Sequence, residues 1–131
     1  NMFGGNSNWR GPIWMPLNYM IIQSLRKYYL FYGDQYVYEF PTRSGNKLNL
    51  NEIANELSKR LIKLFQPNAD GKFQYHSEDV NKVFTKNEHF KNEHFFYEFF
   101  DGDSGKGLGA SHQTGWTALV ANLIIELEQN S

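Results

Sequence analysis

Within seven residues, Asn8-Trp9-Arg10-Gly11-Pro12-Ile13-Trp14 sets two indole rings, one guanidinium and a Gly-Pro bend side by side. Indole faces stack on the apolar face of a pyranose ring, and Arg offers a planar fork of donors to hydroxyls or a carboxylate. That chemistry is carbohydrate binding. Pro12 suits the first turn of a helix that would hold the cluster rigid, and packing of Trp9 and Trp14 around a helix start accounts for the same residues. A second group lies late in the chain: Tyr97-Glu98 among Phe95, Phe96, Phe99 and Phe100, then Gly102, Gly105, Gly107 and Gly109, then His112-Gln113-Thr114-Gly115-Trp116. A carboxylate in such surroundings either faces solvent or sits in a cleft where its geometry matters. The glycines imply sharp turning or close approach to a ligand.

The elements that must position these residues are mainly helical. Ile13, Leu17, Met20, Ile21, Leu25 and Tyr28 recur at helical spacing, which predicts a helix from Pro12 to about Tyr32, ended by Gly33-Asp34. A second helix is expected from Leu50 or Asn51 to about Phe65, with Lys59, Arg60 and Lys63 near its C-terminal end and Pro67 beyond it. Between them, Tyr36, Tyr38 and Phe40 alternate before Pro41, as in a short strand or extended loop. Residues 73–92 read as mixed and polar, and Lys86-Asn87-Glu88-His89-Phe90 repeats at once as Lys91-Asn92-Glu93-His94-Phe95. Two copies of five residues do not make a solenoid. A third, short helix is expected over Glu93 to Phe100, and a last one from Ser111 or Thr114 through Leu127. The expected class is therefore all-α, with four to five helices and long loops, in one piece from residue 1 to residue 131.

Composition narrows the partners. The 131 residues carry a formal charge of -1, 40% hydrophobic and 17% aromatic residues, and no cysteine. Scattered basic residues argue against nucleic acid, and no run is apolar enough for a membrane helix. Disulfides and thiolate metal sites are excluded, no cofactor is called for, and a cytoplasmic location is the default. Asp101-x-Asp103-x-Gly105 imitates the opening of a calcium loop, but Lys106 and His112 stand where the motif needs Gly and a bidentate Glu. Gly105-x-Gly107-x-Gly109 lacks the spacing of a dinucleotide fingerprint. His89 and His94 would lie about 140° apart on a helix, so they form no joint metal face. Adjacent Ser111 and His112 do not make a nucleophilic pair.

Three ordered blocks, Gly4 to Trp14, Phe96 to Asp103 and Gly107 to Thr117, resemble the C-terminal part of glycoside hydrolase family 63. The resemblance covers nearly the whole chain and is weakest between Gln35 and Asn92. It implies the closing portion of an (α/α)6 barrel and an inverting α-glycosidase, in which an acid protonates the leaving oxygen while a carboxylate activates water. Glu98 takes the position of the general base. Trp9 and Trp14 fall at the sugar subsite wall, Arg10 anchors hydroxyls or orders its loop, and His112, Gln113 and Trp116 line the pocket. Asn18 and Tyr97 stay open between site and packing roles. The family's general acid is an aspartate upstream of the first block, and Asp34, Asp101 and Asp103 match no motif for it. The chain is thus expected to be a fragment, inactive alone, whose partners are a carbohydrate substrate and the preceding part of the barrel. Apolar faces left open would favour a homo-oligomer. A non-catalytic helical module binding sugar or protein is the alternative.

Overall fold

The computed structural model of the chain describes residues 11–87, 89 and 93–130. Helix α1, Met15–Tyr32, starts after Trp14 with Pro16 in its first turn. The expected start at Pro12 is displaced because Ile13 is engaged elsewhere: its N–H donates to the Phe100 carbonyl at 2.7 Å, and the Phe100 N–H donates back at 3.0 Å. Gly33 ends the helix at φ 59°, a conformation that glycine adopts without strain. Strands β1, Val37–Glu39, and β2, Lys47–Asn49, then form an antiparallel hairpin, with Tyr38 opposite Leu48. Here the alternation of Tyr36, Tyr38 and Phe40 does mark extended chain.

Helix α2, Leu50–Lys63, begins where its sequence demands. Asn49 accepts from the Glu52 N–H, and the Glu52 carboxylate accepts from the Asn49 N–H, a reciprocal capping box. Ile53, Ala54, Leu61 and Ile62 face inward, and Arg60 and Lys63 sit in the last turn, where the helix dipole favours cations. Helix α3, Glu78–Lys86, occupies the segment that reads as polar. Ser77 caps it by accepting from the Val80 N–H, Glu78 and Asp79 stand in its first turn, and Lys86 stands in its last.

The expected helix over Glu93 to Phe100 does not form. Glu98 and Phe96 bond across to Ala110 and Gln113, and Phe99–Phe100 is strand β3, paired antiparallel with β4, Gly107–Leu108. A run of aromatic residues suits a pleated surface with partners on both sides, and here tertiary pairing overrides the helical reading. The last helical region is broken at Ala118 into the single turn α4, Thr114–Thr117, and α5, Leu119–Gln129. The all-α expectation is therefore corrected to a mainly helical fold with two small antiparallel sheets.

Helices α1, α2 and α5 pack on one another, and Met15, Ile22, Ala54 and Leu123 are completely buried between them. Phe65, Tyr75 and Phe100 extend that core toward the β3–β4 hairpin. A polar tie runs alongside it. Glu126 on α5 accepts from Tyr19 Oη at 3.1 Å and from Gln23 Nε2 at 2.9 and 2.7 Å, all on its two carboxylate oxygens. Arg26 Nε lies 3.7 Å from the same carboxylate, and its Nη1 donates to Asn51 Oδ1 on α2 at 2.7 Å. The carboxylate thereby joins α5 to α1, and Arg26 carries the tie on to α2.

The side chains of Arg26 and Glu126 are only 13% and 25% exposed, so removing the carboxylate leaves a sheltered guanidinium without its counter-charge. Glu126→Ala is expected to cost about 1–3 kcal/mol of stability, with Glu126→Gln costing less because it keeps an acceptor. Thermal and urea unfolding of the two variants checks this, and equal stability of Glu126→Ala and the parent would show that the tie contributes nothing.

Candidate functional site

Three separate segments meet around residues 96–100. Besides the Ile13–Phe100 pair, the Gln113 N–H donates to the Phe96 carbonyl at 2.6 Å and the Glu98 N–H donates to the Ala110 carbonyl at 2.8 Å. Side chains of the single turn α4 add two more bonds. Thr117 Oγ1 donates to the Tyr97 carbonyl at 2.7 Å, and Trp116 Nε1 donates to the Glu98 carbonyl at 3.1 Å. Both backbone polar groups of Glu98 are thus committed to the fold.

Its carboxylate is held on one side only. Glu98 Oε2 accepts from the Ala110 N–H at 3.3 Å, while Oε1 receives no hydrogen bond from the described residues. The side chain is half-buried. Chemically, this is a carboxylate oriented by the main chain with one oxygen open to accept a proton.

The aromatic residues around it are layered. Trp14 stacks on Phe99 with centroids 4.5 Å apart and meets the edge of Trp116 at 6.2 Å. Trp14 itself is 7% exposed, so in the described residues its ring supports the layer from behind, and Trp116 is the more accessible of the two indoles. His112 is exposed, lies against Phe95 at 5.1 Å and pairs through its backbone with Phe96. Gln113 is partly buried beside it. Asn18 Nδ2 donates to the Trp14 carbonyl at 2.9 Å, a helix-start contact. Glu98, His112, Gln113, Trp116 and Trp14 are therefore neighbours in space. Trp9 and Arg10 lie outside the described residues.

The glycine-rich loop serves this arrangement directly. A Cβ on Gly107 would run into the Tyr97 ring, and one on Gly109 would run into the Glu98 carboxylate. Ahead of these, Asp101 folds the loop on itself: its Oδ1 accepts from the Asp103 N–H at 3.2 Å and from the N–H and hydroxyl of Ser104, both at 2.8 Å. The two Ser104 donors hold the Asp101 carboxyl below the usual range. Asp34 is likewise engaged, accepting from Tyr29 Oη at 3.1 Å and Asn49 Nδ2 at 2.9 Å. Among the described residues, no three His, Cys, Asp or Glu side chains are placed to hold a metal, and no helix is long and apolar enough to cross a membrane.

Residues 1–126 match the glycosyl hydrolase family 63 C-terminal domain. The chain belongs to that family. It is 50% identical over 126 residues to an uncharacterized protein of Saccharomyces cerevisiae, covering 96% of this chain and 12% of the relative. It is 30% identical over 123 residues to the mannosyl-oligosaccharide glucosidase of the same yeast, covering 93% of this chain and 11% of that protein. A mannosyl-oligosaccharide glucosidase of Arabidopsis thaliana is 26% identical over 118 residues, 90% of this chain and 10% of the relative. The chain thus spans about a tenth of the length of these relatives. No solved structure matches it.

Sequence reasoning passed over His76. It is 6% exposed, and neither ring nitrogen has a hydrogen-bond partner. Tyr75, Phe84 and Phe95 enclose it at 4.6, 5.1 and 5.2 Å, with Tyr97 at 6.3 Å. The flanking Phe73 and Tyr75 were the signal available, in a stretch that otherwise reads as polar. Burial lowers the His76 pKa from its ordinary value and pushes the Tyr75 phenol up to about 12.

The consequence for stability has a definite sign. Below about pH 6.5 the unfolded chain binds a proton at His76 that the folded chain refuses, so stability falls as pH drops from there toward the lower folded-state pKa. Asp101 adds its loss only at more acid pH, below the ordinary carboxylate value. His76→Phe is expected to flatten the decline in unfolding midpoint between pH 7 and 5. An unchanged slope in that variant would assign the decline to other groups.

Proposed function

We propose that this chain is the closing part of an inverting glycoside hydrolase catalytic domain acting on α-glucosides or related α-glycosides, with Glu98 as the general base. The observation that carries the reading is the Glu98 carboxylate, gripped at Oε2 by the Ala110 N–H and open at Oε1. Family membership and the name mannosyl-oligosaccharide glucosidase on two relatives support a carbohydrate substrate with a terminal glucosyl unit.

In this mechanism a water on one face of the sugar gives its proton to Glu98 Oε1 as its oxygen attacks the anomeric carbon. A carboxylic acid on the opposite face protonates the departing glycosidic oxygen. Room for the water sets the two carboxyl groups roughly 6.5–9.5 Å apart. Asp34 and Asp101 are tied into local hydrogen bonds, which supports an acid supplied by another segment of the protein. Trp116, His112 and Gln113 border the sugar, Trp14 backs the aromatic layer, and Trp9 and Arg10 complete the first-block side of the pocket.

The exposed side of α1 supports a place within a larger helical barrel. Leu17, Met20, Tyr28 and Phe31 share one face of α1 and are all exposed, Phe31 to 87%. An isolated surface rarely carries so much contiguous apolar area without a partner. Further helices of the same protein are the covering that the family resemblance implies.

Proton NMR of the full-length protein with a panel of α-glucosides and glucosyl disaccharides tests the assignment. The parent protein is expected to release the β-anomer first, and Glu98→Gln to lower turnover by about 10²–10⁴-fold while sugar binding persists. Near-normal turnover by Glu98→Gln, or the α-anomer as first product, overturns the reading.

A further inference from the structure

We infer that Gly109 is a positioning residue for the Glu98 carboxylate, setting where its oxygens point, and that Trp116, besides bordering the sugar, holds the Glu98 main chain in place through its indole N–H. The inference rests on Glu98 being the base. Three contacts define the device. The Ala110 N–H reaches Oε2 at 3.3 Å, the Glu98 N–H reaches the Ala110 carbonyl at 2.8 Å, and Trp116 Nε1 reaches the Glu98 carbonyl at 3.1 Å. Gly109 makes the first of these possible. It sits at φ +71°, and a Cβ there would collide with Glu98 Oε2 and come within 2.8 Å of Glu98 Cβ and 3.0 Å of Phe99 Cε1. The backbone of residues 109 and 110 therefore runs directly against the Glu98 side chain, close enough for the Ala110 amide to donate to one oxygen. A side chain at 109 would have to move the carboxylate away from that amide.

Gly71 supplies the control that separates positioning from backbone strain. It has nearly the same φ, +72°, with nothing within 4 Å of its Cβ position. Alanine at either glycine meets the strain of a positive φ, but only alanine at 109 touches Glu98.

The experiment uses the full-length protein and the α-glucoside that it hydrolyses best. Thermal midpoint, kcat and KM are measured for Gly109→Ala, Gly71→Ala, Trp116→Phe and Glu98→Gln. Gly109→Ala is expected to lower kcat by about 10–100-fold at nearly constant KM, as a misplaced catalytic group does. Gly71→Ala is expected to lose midpoint but keep kcat. Trp116→Phe keeps a ring against the sugar and removes the N–H donor, and is expected to lower kcat by a larger factor than it raises KM. If Gly109→Ala does not fold, the kcat against KM split of Trp116→Phe decides. Full kcat in Gly109→Ala or in Trp116→Phe, with Glu98→Gln inactive, overturns the positioning role of that residue while leaving the base intact. Full turnover in Glu98→Gln removes the base, and the positioning role with it.

Discussion

The structure around the site depends on the main-chain pairing of residues 96–100. In order along this segment, Phe96 is bonded to Gln113, Tyr97 to Thr117, Glu98 to Ala110, Phe99 pairs with Leu108, and Phe100 with both Gly107 and Ile13. The partners come from three segments distant in sequence: Ile13, residues 107–110 and residues 113–117. Buried backbone groups must find partners, and an extended strand offers them on both edges where a helix would consume them internally. Phe100, completely buried, anchors this strand in the helical core through Phe65.

This arrangement explains how few side chains the site needs for its own orientation. Glu98 is positioned by amide groups and by the indole N–H of Trp116, while Trp14 and Phe99 supply a stacked apolar layer behind. Such stacked rings resist displacement because their burial and their mutual geometry favour the same placement. The polar tie centred on Glu126 keeps α1, α2 and α5 in register. Helix α1 links the two, since Ile13, just before its first turn, pairs with the strand and Tyr19, Gln23 and Arg26 reach Glu126.

The aromatic excess seen in the composition has two outcomes. Phe65, Phe73, Tyr75, Phe95 and Tyr97 build the ring cluster that encloses His76 and underlies the strand. Tyr28, Phe31, Tyr32, Tyr36 and Tyr38 instead lie exposed along α1 and the hairpin. The first group is an internal core. The second is exposed surface among the described residues.

Local signals in the sequence were enough for the long elements and for the family. Apolar spacing marks α1, α2 and α5, and Gly33 marks the end of the first of these. The three ordered blocks identify glycosyl hydrolase family 63, and the same blocks single out Glu98, His112, Gln113 and Trp116, which the fold then makes neighbours. Where partners are distant, the tertiary structure decided. The aromatic run at 95–100 carries no information on Ile13, Ala110 or Gln113, so its extended conformation and the later start of α1 emerge only from pairing across the chain. Helix α3 is legible after the fact in Ser77, Glu78 and Asp79, yet its amphipathic face has meaning only once the ring cluster exists beneath it. The glycines at 107 and 109 show the same division. Composition says that a side chain is unwelcome there, and only the folded chain shows that Tyr97 and Glu98 fill the space.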